Sequence, residues 1–312
     1  MTTTKTDWCT VAPVRYSWTL DEQMDMPFNF GQGVAFCPLP DWLNEEQILG
    51  KLSYGQRQEL LRLSFAFVAE YQADAPNTLD SGWTGHTPKS KQAHAIELIH
   101  LANLALWLAQ PSRIGFEILI HANRLDADRW ILRQHHDFHP LIPLARYTRA
   151  RLGKNDFELA REFYLALTSL TNSSREGGVW TVIHALRQAL TEQTWVIRYL
   201  LLWVALEGLF GPEDAREITF RLSQRAAFFL AGDRREAQEL FSIVKTGYSW
   251  RSKVVHGMRM SKPPKKNSEQ IMSEAEDLLR RSLKRLLNDL RLVQTFEGKN
   301  RERYLDNLVF SK

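Results

Sequence analysis

The sequence predicts an α+β protein with a mixed α/β domain over residues 1–152 and an all-helical domain over residues 153–312. Short β-rich runs, bounded by turn residues, mark the first half of the chain. Beyond Asn155 every strong hydrophobic periodicity has spacings of three and four, which is typical of helices that each turn one apolar face into a bundle. The length of 312 residues is sufficient for two domains with substantial cores.

The first domain is predicted to contain several short strands. Residues 65–71 alternate as a strand would, although they also fit a continuation of the preceding helix, which Ser53 is placed to cap. The first domain is expected to recognise a ligand or to regulate the second. The other predicted strands cover residues 15–19, 33–37, 114–121 and 129–133.

A long buried helix is predicted within the first domain. Thr87 followed by Pro88 has the form of a cap and a first helical residue. The helix should reach Ala109, and beyond Leu98 it is apolar almost all round, so we expect it to be buried.

Five helical stripes are predicted for the second domain. The last of them alternates spacings of four and three, as one long seam helix would. The stripes contain Phe157, Ala160, Tyr164 and Leu167; Trp180, Ile183 and Leu190; Ile218, Leu222, Ala226 and Phe229; Ala237, Leu240, Phe241 and Val244; and Leu279, Leu283, Leu286, Leu290 and Val293.

The composition limits which partners and which cellular compartment are expected. The formal charge of +4 and the pI near 9.0 are compatible with a nucleic-acid partner without requiring one. Because the cysteines are only Cys9 and Cys37, a disulfide framework and a four-thiolate zinc site are excluded, and a cytoplasmic location is expected. The N-terminus lacks the apolar core of a signal peptide, and the most apolar run, residues 199–210, is too short for a membrane span of about 20 residues. No membrane partner is expected.

One short run, residues 248–257, contains the residues for metal-free RNA cleavage. A histidine such as His256 can take or give a proton near neutral pH, and Arg251 presents a planar, permanently charged fork that suits a phosphate. Transesterification needs both properties, and it needs neither a metal nor a cofactor.

The spacing of this pair sets a geometric condition. Positions five apart do not share a face of a straight helix, whereas Ser252 shares a face with His256 and also with Tyr248. Arg251 must therefore lie at a helix start or kink, or the site is built from two copies of the run across a dimer. The spacing is not distinctive, because two other arginines have a histidine six positions later: Arg129 with His135, and Arg133 with His139.

Around this run the chain resembles the Apea-like HEPN domain of the HEPN superfamily (higher eukaryotes and prokaryotes nucleotide-binding). Three pieces carry the resemblance in order: the glutamate-bearing helix at residues 203–210, the helix at residues 220–230, and the run at residues 248–257. The resemblance covers roughly residues 195–295. It implies a helical bundle, a homodimer, and a metal-independent endoribonuclease with Arg251 and His256 as catalytic residues, in phage defence or as a toxin with an antitoxin or activator partner. Ser252 departs from the more strongly polar residue that many members have there.

Alternatives accompany the ribonuclease hypothesis. The rival is a non-catalytic HEPN module that binds nucleotide or RNA or scaffolds a protein partner, with Arg251 merely paired and His256 a core histidine. Glu207, on an apolar helix, either pairs with Arg251 or supports His256, or it faces solvent at the helix end.

Two further clusters have both functional and structural interpretations. A basic stretch without acids is either an RNA-tracking surface or an ordinary solvated face, and the aromatics Tyr248 and Trp250 either stack bases or belong to the core. A histidine cluster is either a zinc site of a metal-dependent hydrolase or, as we expect, an exposed polar turn. The basic stretch contains Arg251, Lys253, Arg259, Lys262, Lys265 and Lys266, and the histidine cluster contains His135, His136 and His139.

Overall fold

The structure, a computed structural model, describes residues 5–16, 18–21, 24–74, 83–84, 87–88, 90–111, 114–126, 129–137, 150–173, 178–214, 216–256 and 268–310. An N-terminal region built on an antiparallel sheet precedes a C-terminal helical region, so the predicted α+β class is confirmed. The contacts divide the chain into two compact units, one reaching Ser169 and the other running on from Leu170.

Every predicted strand region of the first unit contains strand, but the predicted strands 15–19 and 114–121 are each divided between two strands, and further strands were not predicted. Residues 65–71 form a strand and not a helix, within β6. The strands are β1 (Lys5–Pro13), β2 (Arg15–Tyr16), β3 (Trp18–Leu20), β4 (Phe28–Gly31), β5 (Val34–Pro38), β6 (Phe65–Asp74), β7 (Trp83–Thr84), β8 (Thr87–Pro88), β9 (Ile114–Gly115), β10 (Ile118–Asp126), β11 (Arg129–Asp137) and β12 (Ala150–Leu152).

Six of the described strands form one antiparallel sheet in the order β11-β10-β1-β6-β5-β4. Its middle strand, β1, pairs with β6 and β10, with Val11 opposite Val68 on one side and Ile120 on the other. Because side chains alternate along a strand, these three lie on one face, where they join the core formed with Leu43, Ile48, Leu52 and Leu60.

Three helices accompany the sheet: α1 (Glu46–Leu49), α2 (Tyr54–Leu60) and α3 (Lys91–Ala109). Ser53 caps α2 as predicted, in a reciprocal capping box with Gln56. The predicted start of α3 is wrong. Thr87 and Pro88 form β8, which pairs with β7, and Ser90 caps the helix instead by accepting from the Ala93 backbone N–H.

The remaining helices are α4 (Lys154–Ser173), α5 (Gly178–Thr191), α6 (Trp195–Phe210), α7 (Ile218–Leu230), α8 (Arg234–Val255), α9 (Ser268–Leu287), α10 (Leu290–Glu297) and α11 (Arg301–Asn307). In the first unit Phe157, near the start of α4, packs against Phe28, Phe30 and Phe36. The division between the units falls inside α4, beyond the predicted boundary at residue 152.

The predicted long seam helix is two helices. Leu279, Leu283 and Leu286 are fully buried on α9, which ends at Leu287. The Asp289 side chain then accepts a hydrogen bond from the Arg291 backbone N–H and caps α10. Leu290 is consequently 47% exposed. Among the described helices, none is both long enough and apolar enough to cross a membrane.

Candidate functional site

Two closely packed helices position the Arg251–His256 run. The Tyr199 hydroxyl on α6 donates a 2.6 Å hydrogen bond to the Gly247 carbonyl on α8. A Cβ at Gly247 would lie 2.5 Å from Cζ2 of Trp203, so the approach of α8 to that indole requires a residue without a side chain. The close packing fixes where the last two turns of α8 lie beside α6.

Glu207, near the end of α6, forms an ion pair with Arg251 of α8, with 2.9 Å between Oε1 and Nη2. The predicted pairing is therefore present, and the alternative of an unpaired carboxylate facing solvent is wrong. The two side chains are 28% and 26% exposed. Loss of hydration raises the pKa of Glu207, and the Arg251 charge opposes that rise in part.

Tyr248 is the third member of this cluster, and it belongs to the core. Its ring packs edge-on against Trp203 at a centroid distance of 5.5 Å. The Arg251 guanidinium carbon lies 5.6 Å from the centroid of the same ring. Burial, followed by the Glu207 charge, raises the pKa of Tyr248, while Arg251 lowers it. Trp250 is also buried, so neither aromatic is open for a base to stack on.

His256 lies at the end of the same helix, and it is exposed, which rules out the alternative of a core histidine. Its backbone N–H donates to the Ser252 carbonyl, so helical geometry continues to His256. The sequence allowed Arg251 to lie at a helix start, but the structure places it in the last two turns of α8. On a regular helix positions five apart are separated by about 140° around the axis. One copy of the chain does not present both residues on one face.

The predicted RNA-binding residues, together with Ser252 and Gly257 of the run, divide between described and undescribed segments. Ser252 is partly buried and Lys253 is exposed in the last turn of α8. Gly257, Arg259, Lys262, Lys265 and Lys266 lie outside the described residues.

The described part of the predicted histidine cluster lies on a strand and not in a turn. His135 and His136 are neighbours on β11 and so lie on opposite faces of the sheet, while His139 lies outside the described residues. The His136 ring packs at 5.4 Å from buried His121, whose Nδ1 is 2.9 Å from the Thr10 hydroxyl. Within the described ranges, no three His, Cys, Asp or Glu side chains are arranged to hold a metal ion.

Comparisons with family models, curated proteins and solved structures found no match to this chain.

The sequence analysis missed an aromatic pair on the outer side of α7 and α8. Phe220 is 49% exposed and packs edge-on against Phe241, with ring centroids 5.6 Å apart. Phe220 falls outside the α7 stripe that begins Ile218 and Leu222, and an aromatic residue off the apolar stripe of a helix was the signal available for it.

A buried ion pair joins α6 to α9. Arg198 of α6 meets Glu276 of α9, with 2.8 Å between Nη2 and Oε2, and the two side chains are 5% and 1% exposed. Removing either partner leaves an uncompensated charge in the core, so loss of one side chain should destabilise the unit.

Proposed function

We propose that the helical unit is a metal-independent endoribonuclease that works as a homodimer. The observation that carries the proposal is the Arg251 guanidinium, held by Glu207 at 2.9 Å in a half-buried position near the end of the helix on which exposed His256 lies. A preorganised cation and an accessible imidazole are the two groups that metal-free cleavage of RNA requires.

In the proposed reaction the 2′-hydroxyl oxygen attacks the adjacent phosphorus and its proton leaves to a base. The bond from phosphorus to the 5′-oxygen breaks, and that oxygen takes up a proton. His256 serves a proton-transfer step, while Arg251 meets the negative charge that builds on the phosphoryl oxygens. The products carry a cyclic phosphate and a free 5′-hydroxyl.

Glu207 has a positioning role in this scheme. Its carboxylate holds one side of the guanidinium, which restricts the rotamers that a long arginine side chain would otherwise sample. Among the described residues, the buried Arg251 Nε and the buried Glu207 Oε1 both lack a hydrogen bond, so the 2.9 Å contact is an ion pair and Glu207 does not saturate the donors of the guanidinium.

A dimer reconciles this chemistry with the helix geometry. Because about 140° separates the two side chains around α8, Arg251 of one copy and His256 of a second would form each site. A cytoplasmic toxin or defence ribonuclease, controlled by an antitoxin or activator, is the setting that the resemblance implies.

The test uses full-length protein, a panel of RNAs and EDTA. Wild type should cleave RNA in the chelator to 2′,3′-cyclic phosphate ends, and both Arg251→Ala and His256→Ala should reduce the rate by at least about 100-fold. Arg303→Ala, an exposed arginine of α11, and His135→Ala are the matched controls and should retain activity. The proposal is refuted if EDTA abolishes the activity. It is also refuted if Arg251→Ala or His256→Ala retains it.

Co-expression tests whether the site is shared between copies. Random pairing of the Arg251→Ala and His256→Ala chains makes half of the dimers mixed, each with one intact site, so about a quarter of wild-type activity should return. No recovery, in a preparation shown by mass spectrometry to contain mixed dimers, contradicts a shared site.

A non-catalytic RNA-binding or scaffolding module is the second candidate. It is favoured by the pairing of Arg251 with Glu207 within the chain, since this partly neutralises the charge a phosphate would meet. That candidate predicts intact RNA with wild-type dimer across the whole panel, including after addition of cell extract as a source of activators.

A further inference from the structure

The outer face of α8 presents a continuous row of side chains that ends at His256. Phe241, Lys245, Ser249, Ser252 and His256 lie within about 80° of one another around the helix axis, because their spacings are of three or four residues. Lys245, Ser249 and His256 are exposed, and Phe241 and Ser252 are partly buried. At 1.5 Å per residue the row is about 22 Å long.

The start of the row is an aromatic pair with an adjacent cation. Phe220 of α7 meets Phe241 edge-on at 5.6 Å and an interplanar angle of 69°. The Lys245 Nζ lies 5.8 Å from the centre of the Phe241 ring. Phe220 is 49% exposed, so about half of its surface is available to a ligand. An aromatic side chain of the core would instead be covered.

The charge along the row has one sign. From Leu240 to His256 the chain contains no acidic residue, and Lys245 is the exposed lysine of the row. Arg251 lies about 140° from His256 around the axis and is paired with Glu207, so it is not part of the row. The nearest acids in sequence on either side are Glu239, which pairs with Arg235, and Glu269 in the first turn of α9. An aromatic ring followed by a cation and two hydroxyls suits a polyanion that carries flat bases.

We propose that this face binds single-stranded RNA, with one base stacked on Phe220, a phosphate at Lys245 and the strand running along α8 toward His256. The inference rests on the proposed ribonuclease function, whose substrate it specifies as single-stranded. Duplex RNA hides its base faces inside the helix and has none to stack on Phe220.

Binding is measured with a fluorescent 2′-O-methyl oligonucleotide, which lacks the attacking hydroxyl and so stays intact. Wild type should bind the single strand more tightly than the matched duplex. Phe220→Ala and Phe220→Leu should each weaken binding at least about five-fold, because leucine keeps the apolar surface without the planar ring, while Phe220→Tyr should bind as wild type does. The matched control is Phe310→Ala, another exposed phenylalanine of the same unit, at 88% exposure.

The lysine has its own measurement. For single strands the logarithm of the binding constant falls with the logarithm of salt by about 0.7 per neutralised phosphate, so Lys245→Ala should flatten that slope by about this amount. Lys299→Ala, an exposed lysine elsewhere in the unit, should leave the slope unchanged.

The outcomes separate the two proposals. Equal binding by wild type, Phe220→Ala and Phe220→Leu, or tighter binding of the duplex, overturns the inference even if the enzyme cleaves RNA through Arg251 and His256. Conversely, Phe220-dependent binding by a protein that never cleaves supports this surface and overturns the ribonuclease. Tighter binding to a DNA single strand of the same sequence would overturn the assignment to RNA.

Discussion

Glu207 and Arg251 form a 2.9 Å ion pair near the C-terminal ends of α6 and α8, where each side chain keeps only about a quarter of its surface exposed. The pair joins the glutamate on an apolar helix to the arginine of the 248–257 run, as one of the sequence-based alternatives predicted. Partial burial of the pair also has a measurable effect on the pH dependence of stability, because a partly desolvated carboxylate has a different pKa from a fully hydrated one.

Glu207→Gln should change how stability depends on pH. Burial raises the pKa of Glu207 above its ordinary value, so the folded protein binds this proton more tightly than the unfolded chain. The stabilisation that results is present in full below about pH 4.3 and is lost as the pH rises through the folded value. Wild type should therefore lose stability relative to Glu207→Gln between pH 4 and pH 7. Urea unfolding at four pH values measures this.

The exposed carboxylate Glu239 on α8 provides the control for that experiment. Glu239→Gln should unfold with the same pH dependence as wild type. Glu207→Gln carries a constant cost from the unpaired Arg251 at every pH, so only the difference in slope bears on the prediction. Parallel curves for wild type and Glu207→Gln would rule it out.

Gly247→Ala should destabilise the helical unit by about 1–3 kcal/mol, because its new Cβ would lie 2.5 Å from Cζ2 of the Trp203 indole. Gly55→Ala on α2 is the matched substitution, since a Cβ there has no atom within 4 Å. In that open helical position alanine should leave stability unchanged or raise it by up to about 1 kcal/mol. Thermal and urea unfolding of the two variants test the contrast, and an equal effect at both glycines would contradict it.

His121 should make the first unit sensitive to mild acid. Burial, and then the charge of His136, lowers the pKa of His121 to about 3, whereas the unfolded chain binds that proton near its ordinary value of about 6.5. The stabilisation is complete above about pH 6.5 and falls as the pH drops toward the folded value, with a slope of about 1.4 kcal/mol per pH unit.

His121→Gln should remove that slope between pH 6.5 and pH 5, while His135→Gln on β11 should keep it. Near-ultraviolet circular dichroism in urea at each pH follows the unfolding. A wild-type stability that stays level over this range would show that His121 titrates normally in the folded protein.

The buried pair of Arg198 and Glu276 should show strong coupling. Arg198→Met or Glu276→Leu alone should cost about 3–5 kcal/mol, because each leaves a charge in the core without its partner. The double variant should recover much of that loss, since two well-packed apolar side chains can replace a buried ion pair. A double-mutant cycle by urea unfolding measures the coupling, with the exposed pair of Arg235 and Glu239 as the uncoupled reference. Additive losses at Arg198 and Glu276 would contradict the prediction.

Local signals were sufficient for much of this fold. The helical stripes after Asn155 and the cap at Ser53 predicted elements that the structure contains, because periodicity and capping depend on neighbours along the chain. At two places the same signals failed. Thr87 and Pro88 pair with β7 and do not begin a helix, and the stripe of Leu286, Leu290 and Val293 is interrupted by the cap at Asp289.

The candidate site divides in the same way. Sequence alone names Arg251, His256 and Glu207, and it requires the first two to lie on different faces of a straight helix, since the 3.6-residue repeat is independent of the rest of the fold. Tertiary packing supplies what that repeat leaves open: that α8 stays helical to His256, that Glu207 reaches Arg251, that Tyr248 is covered, and that Phe220 stays half exposed. Each of these depends on which helices bury their apolar faces against one another, and that choice is made by the whole core and not by any one helix.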